Sequence, residues 1–134
     1  VRQRQPGQMH VIGFDHLVLR TTDVERSLAF YTGMLGLEPV RVAEWRAGEV
    51  GFPSARVNAE TILDFFAADA AAPPLDHFCL VVEPLDWAAE IAAGLEVVRG
   101  PVISSGAQGD GTSVYVRDPD GNIVEVRHYG VRPA

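Results

Sequence analysis

The chain has a single cysteine, Cys79, and its 11 basic residues are outnumbered by 18 acidic ones. One thiol excludes an internal disulfide and fits a reducing compartment, so a cytoplasmic location is the expectation. A net charge of −7 has the wrong sign for a nucleic-acid binder, and no basic cluster offsets it. No apolar run reaches the roughly 18–20 residues a bilayer span needs, and no charged-then-apolar signal peptide opens the chain. Neither a nucleic-acid nor a membrane partner is therefore expected. Residues 1–9, polar and carrying Arg2, Arg4, Pro6 and Gly7 ahead of Met9, read as a flexible leader.

What the chain does have is an internal repeat. Its 134 residues, 47% hydrophobic, suit one compact domain with a proper core. Asp15-His16-Leu17-Val18-Leu19 returns 61 positions later as Asp76-His77-Phe78-Cys79-Leu80, and the same offset relates Asp64 to Glu125. Self-similarity of this kind sets the architecture before anything else is read. It divides residues 10–130 into module one (10–67), a linker (68–75) rich in alanine, aspartate and proline, and module two (76–130).

Residues 10–20 read as a strand, with His16, Val18 and Arg20 on one face and Leu17 and Leu19 on the other. Asp23 is a candidate helix N-cap, Val24, Leu28, Tyr31 and Leu35 follow helical spacing, and Gly36 suits the position just past the helix end. Residues 40–42 read as the beginning of an extended segment, residues 48–57 as holding a turn-rich strand candidate, and residues 61–66 as a strand with Ile62, Asp64 and Phe66 on one face. In the second module, residues 76–82 read as a strand and residues 84–93 as a helix opened by proline, with Trp87 and Ile91 on one face. Leu95-Glu96-Val97-Val98-Arg99 echoes Leu37-Glu38-Pro39-Val40-Arg41. The glycines of residues 100–112 read as a mobile loop, residues 113–117 as a strand, Asp118-Pro119-Asp120-Gly121 as a hairpin turn, and residues 122–128 as the last strand. Each unit thus reads strand–helix–strand–strand–strand, and a unit with one helix covers only one face of its sheet.

Equivalent positions of two such units converge if a pseudo-two-fold axis relates them. His16, His77, Asp64 and Glu125 would then meet in a strand-lined cavity. Two imidazoles with one or two carboxylates suit a divalent first-row metal and leave positions open for water or substrate. Singly, each residue is more often structural: a histidine at a strand start is usually hydrogen-bonded or at the surface, and Asp64 between Leu63 and Phe65 suits a half-exposed strand. Recurrence of all four at one offset favours the metal. Cys79 shares the His77 face, and a buried structural thiol is its default reading. His10 and His128 have no assigned partner.

The chain resembles the vicinal oxygen chelate superfamily of glyoxalase I, fosfomycin- and bleomycin-resistance proteins and extradiol dioxygenases. The resemblance rests on Phe14-Asp15-His16-Leu17-Val18-Leu19, the helix carrying Asp23, Ser27, Phe30-Tyr31 and Leu35-Gly36-Leu37, Asp76-His77-Phe78, and the run from Tyr115 through Asp118-Pro119-Asp120-Gly121 to Glu125. The subgroup it most resembles is the small glyoxalase domain-containing protein 5-like, or virulence-associated glyoxalase-like, proteins. The resemblance implies an α+β fold of two βαβββ modules forming a U-shaped metal-binding cleft, in a homodimer. It implies His16, His77, Glu125 and Asp64 as ligands of a divalent ion (Zn, Ni, Fe, Mn or Co), with Asp64 standing where glyoxalases carry Glu.

The function expected is that of a glyoxalase-like lyase or isomerase that holds adjacent oxygens of a small-molecule substrate on the metal. Glu125 or Asp64 would move the proton, and Tyr115, Phe66 and Arg127 would contact the substrate. An extradiol-type dioxygenase is one alternative, matched by two His, one Glu and Tyr115, but a histidine that signature wants is replaced by Gln108 and Asp110. A metal-free resistance protein that sequesters a small molecule is another, with Trp45, Phe66, Trp87 or Tyr115 stacking on a flat ligand. Fosfomycin resistance fits less well, because Val18 replaces that group's threonine.

Overall fold

A computed structural model describes residues 8–130, so most of the 1–9 leader lies outside the described residues. The elements run β1 (Val11–Thr21), α1 (Val24–Leu28), β2 (Glu38–Val40), α2 (Val42–Arg46), β3 (Ser54–Arg56), β4 (Ile62–Ala67), β5 (Leu75–Val82), α3 (Trp87–Ala92), β6 (Arg99–Gly106), β7 (Gly109–Arg117) and β8 (Ile123–His128). All eight strands form one sheet in the order β2-β3-β4-β1-β5-β8-β7-β6. The order is a palindrome of the repeat, since β4 lies beside β1 in parallel as β8 lies beside β5, and the antiparallel pair β1–β5 joins the halves. This is a mixed α+β fold built on a curled eight-stranded half-barrel.

Alternation along the strands separates two environments. On the helix-covered side, Phe65 and Ala55 pack with Val24 and Leu28 of α1, and Val114, Val124 and Val126 pack with Val82 and Trp87. Met9 also rests against the second of these clusters. The opposite, concave side buries polar groups: His16, Ser54, Asp64, His77, Ser113, Glu125 and Arg127. A polar group withdrawn from water needs a partner, so the concave side is where the chemistry lies.

The caps follow local chemistry. Asp23 accepts from the Arg26 amide to start α1, which passes into a π-helical segment, Ala29–Met34, ending ahead of Gly36 at φ 72°. Helix α3 is shorter than its expected 84–93 span: Asp86 caps it by accepting from the Ala89 amide, rather than proline opening it. Asp118 accepts from the amides of Asp120 and Asn122, which closes the expected turn between β7 and β8.

Two segments differ from expectation. The chain leaves β2 through Arg41, at φ 60°, and turns at once into α2, so residues 40–42 are not one extended run. The stretch expected to be a mobile loop is the edge strand β6, paired to β7 through a two-residue connection. An edge position tolerates Pro101, and ladder hydrogen bonds to β7 outweigh the weak strand preference of its glycines.

Gly100 sits at φ 105°, and a Cβ there would stand 2.6 Å from the Ser113 carbonyl oxygen. Gly100→Ala is therefore expected to lower unfolding stability by about 2 kcal/mol or more. Gly51→Ala, where nothing lies within 4 Å, should leave the denaturation midpoint nearly unchanged. Equal midpoints for the two variants would refute this account.

Candidate metal centre

Two β-bulges build the centre. Along the β1–β5 ladder Phe14 pairs with Leu80 and His16 with Cys79, leaving Asp15 as an extra residue; Val18 pairs with His77 and Leu19 with Leu75, leaving Asp76 extra. A bulge breaks the alternation that would send neighbours to opposite faces. Each aspartate thereby reaches its own neighbour: Asp15 Oδ2 lies 2.7 Å from His16 Nδ1, and Asp76 Oδ1 lies 2.7 Å from His77 Nδ1.

The far nitrogens converge on one atom. His16 Nε2 is 3.0 Å and His77 Nε2 is 3.2 Å from Glu125 Oε1. Ionised carboxylates only accept, so the aspartates fix the hydrogen on each Nδ1 and leave each neutral ring with a bare Nε2 lone pair facing Glu125. Three acceptors meeting in a buried site repel one another unless a cation stands among them, either a proton on a ring or a metal ion. His16, His77 and Glu125 offer ligand atoms all within 4.8 Å of one another, and all three are buried. The donor set and the carboxylate-held imidazoles fit a divalent metal.

Glu125 is itself held from behind. Its Oε2 accepts from Ser113 Oγ at 2.7 Å and from Arg127 at 2.9 Å. The Arg127 guanidinium is fully buried and also donates to Ser104 Oγ, at 2.9 Å. Asp15 accepts from the Ala107 amide at 3.0 Å and from the Tyr129 hydroxyl. Gly106 makes room for both, because a Cβ there would lie 2.1 Å from Arg127 and 2.7 Å from Asp15.

Asp64 lies on the same concave face but outside the cluster. It pairs across the ladder with Val18, and its Oδ1 accepts from Ser54 Oγ at 2.5 Å, while Arg41 donates to that same hydroxyl at 2.5 Å. Tyr115 sits opposite Glu125 on β7 and meets the His77 ring edge-on at 5.4 Å. Phe66 packs on Phe52, with ring centroids 4.8 Å apart. Arg127 stands behind Glu125 with no exposed surface. Trp45 and Trp87 pack into the two apolar clusters under the helices, away from the concave face. His128 stacks on Trp87, and His10 bonds Glu83 at 3.1 Å, so both have partners the sequence does not reveal. Cys79 is fully buried beside His16, and burial pushes its thiol pKa up.

Sequence reasoning assigns no role to Asp15, Asp76, Ser113, Ser54, Arg41 or Tyr129. For the two aspartates a signal is present, since each precedes its histidine in both copies of the repeat.

Charges in this site are strongly coupled. Burial alone would lower the His16 pKa, but hydrogen bonds to Asp15 and Glu125 together with the Glu125 charge raise it to about 9. His77 is raised by the same kinds of contact against the same burial. Burial would raise Glu125, yet its bonds to His16 and His77 hold it well below the carboxylate range. Asp64 moves the other way, because burial raises it more than Ser54, His16 and Arg41 lower it. Burial, then the Glu125 charge, pushes Tyr115 up to about 12.

A His16 pKa raised from 6.5 to about 9 adds stability that is complete below pH 6.5 and lost as pH rises through 9. Metal-free protein should lose on the order of 3 kcal/mol over that window, and His16→Gln should flatten the profile. Denaturant midpoints between pH 6 and pH 10 test this; a flat parent profile would contradict it.

The profile of the Glyoxalase/Bleomycin resistance protein/Dioxygenase superfamily matches residues 13–126. The chain is 34% identical over 127 residues to virulence protein STM3117 of Salmonella typhimurium, covering 91% of this chain and 88% of that protein. It is 34% identical over 135 residues to glyoxalase domain-containing protein RDO1 of Mycosarcoma maydis, covering 96% and 74%. The solved Mn(II)-bound glyoxalase of Novosphingobium aromaticivorans shares the fold, with a TM-score of 0.62 at 22% identity over 94% of this chain and 42% of that one. On the extent of these matches, the chain belongs to the glyoxalase/bleomycin resistance protein/dioxygenase superfamily.

Proposed function

We propose that the protein is a metal-dependent lyase or isomerase of glyoxalase type, acting on a small molecule with two adjacent oxygens. The observation that carries the reading is the convergence of His16 Nε2 and His77 Nε2 on Glu125 Oε1, at 3.0 and 3.2 Å, with both Nδ1 atoms held by aspartates. A divalent ion bound there supplies Lewis acidity to oxygens that develop negative charge. His16, His77 and Glu125 hold it; Asp15, Asp76, Ser113 and Arg127 keep those three in position.

Asp64 carries the proton. It is a buried carboxylate on the concave face, and burial raises its pKa above the ordinary value, the direction that favours a proton carrier. Ser54 and Arg41 engage it, which favours three protein ligands over four. Tyr115 and Phe66 border the substrate, and Arg127 acts through Glu125. The second reading is an extradiol-type dioxygenase. Two histidines and one carboxylate with open positions suit that chemistry too, and Tyr115 beside His77 favours it. The chain works as a homodimer in this reading, and exposed Ile12, Phe14 and Ile103 supply apolar surface for a contact.

His16→Ala, His77→Ala and Glu125→Ala should each weaken metal binding at least about 100-fold, whereas Asp64→Asn should keep the metal and lose turnover. Metal analysis of the purified variants decides this, and retention by the His16 and Glu125 variants would sink the proposal. In this reading His16, His77 and Glu125 of one chain hold the ion, so metal content should not fall when the protein is diluted. Hemithioacetal isomerisation assayed against catechol cleavage separates the two readings.

A further inference from the structure

The sequence contains no lysine, so its 11 Lys-or-Arg positions are all arginines. The repeat brings two of them to matching places, the ends of Leu37-Glu38-Pro39-Val40-Arg41 and Leu95-Glu96-Val97-Val98-Arg99. Each lies over an aromatic ring: Arg41 is 5.1 Å from the Phe52 centroid and Arg99 is 5.3 Å from that of Tyr115. Arg99 is exposed, but Arg41 is fixed in place.

Three observations show how far Arg41 is constrained. Its backbone is left-handed at φ 60°, the one non-glycine residue with positive φ among those described. A side chain kept at a strained position is a pointer to function. Its guanidinium donates to Ser54 Oγ at 2.5 Å and stands over Phe52, which in turn packs on Phe66. Its side chain nevertheless keeps 27% of its surface exposed.

We propose that Arg41, seated on Phe52, is a subsite for a carboxylate of the substrate, separate from the adjacent oxygens held at the metal. The proposal rests on the metal-site reading above. A guanidinium offers five N–H donors in a planar fork matched to a carboxylate, and the Ser54 bond uses one of them. Asp64 Oδ1 forms an ion pair with Arg41 at 3.6 Å but takes its direct hydrogen bond from the Ser54 hydroxyl, so the remaining guanidinium donors stay open. One cation seated on Phe52 suits a single negative charge rather than a phosphate, which asks for more donors. Asp64 pairs with Val18, two residues past His16 on the same face, a diagonal on the order of 7–8 Å. Arg41 and Asp64 share the Ser54 hydroxyl, so the guanidinium borders the same face. A carboxylate carried a few carbons from the chelating oxygens is the group that would meet it.

The test compares two acids of equal chain length, 2-oxoglutarate and 2-oxovalerate, which share a chelating 2-oxo acid end and differ in the distal carboxylate. Calorimetry on metal-loaded protein should show 2-oxoglutarate binding roughly tenfold or more tightly, as for one charge-assisted hydrogen bond. Arg41→Gly and Arg41→Gln should bring the ratio near one with metal content and 2-oxovalerate affinity unchanged. Arg117→Gln, with the same charge change at an exposed site on β7, should keep the preference. Arg41→Gly also relieves the left-handed backbone, so it should melt higher than Arg41→Gln, and misfolding cannot explain its loss. No preference in the parent, or a preference that survives in both Arg41 variants, overturns the proposal. Metal content measured on each preparation reports failure of the metal reading on its own. In that event metal-free protein titrated with glutarate, followed by the Phe52 and Phe66 ring resonances, decides: shifts that vanish in Arg41→Gly support the subsite, and their absence in the parent overturns it.

Discussion

Two imidazole nitrogens share one oxygen of Glu125, and most of the concave face exists to make that contact tolerable. A buried carboxylate facing two lone pairs is unfavourable unless positive charge enters, and the surroundings ensure that the carboxylate stays ionised. Arg127 and Ser113 neutralise and orient its outer oxygen. Asp15 and Asp76 remove any choice of tautomer from the rings. The cost of burying Arg127 completely is met by a network reaching Ser104, Ser105 and Tyr129, and Gly106 leaves the space that network occupies. Removing one partner would expose the others to the penalty of an unpaired buried charge.

Duplication explains both the symmetry and its failure. A doubled strand–helix–strand–strand–strand unit yields an eight-stranded sheet whose central strands are the two copies of β1, which brings His16 and His77 together with their rings 5.6 Å apart. The same operation delivers Asp64 and Glu125 to equivalent positions, yet the two are employed differently. Glu125 reaches the imidazoles. Asp64, one methylene shorter, is taken up by Ser54 and Arg41. The consequence is an asymmetric concave face, with His16, His77 and Glu125 clustered together and Asp64 set apart among Ser54 and Arg41.

Much of this is legible in the order of residues alone. Asp23 as a cap, Gly36 past its helix and the Asp118 turn are local devices, set by side chains bonding to nearby backbone, and local rules read them well. Strand parity places Asp64 with Ile62 and Phe66. The strand β6 is not legible, because glycine and proline argue against a strand until an edge position and a partner are known. Nor is α2, which follows from the left-handed turn at Arg41. Trp45 and Trp87 read as free to stack on a ligand because composition does not say which face of a helix is covered.

The sequence by itself determined which groups recur: an aspartate before each histidine, and a carboxylate 48 residues beyond each histidine. That is a property of the duplicated chain and needs no packing to be seen. Only the tertiary structure decided what those groups touch. Bulges of one residue turn each aspartate onto the face of its histidine, and a hydrogen bond from Ser54 keeps Asp64 apart. Such choices depend on distances of an ångström or two between strands far apart in the chain, and repetition alone carries no information about them.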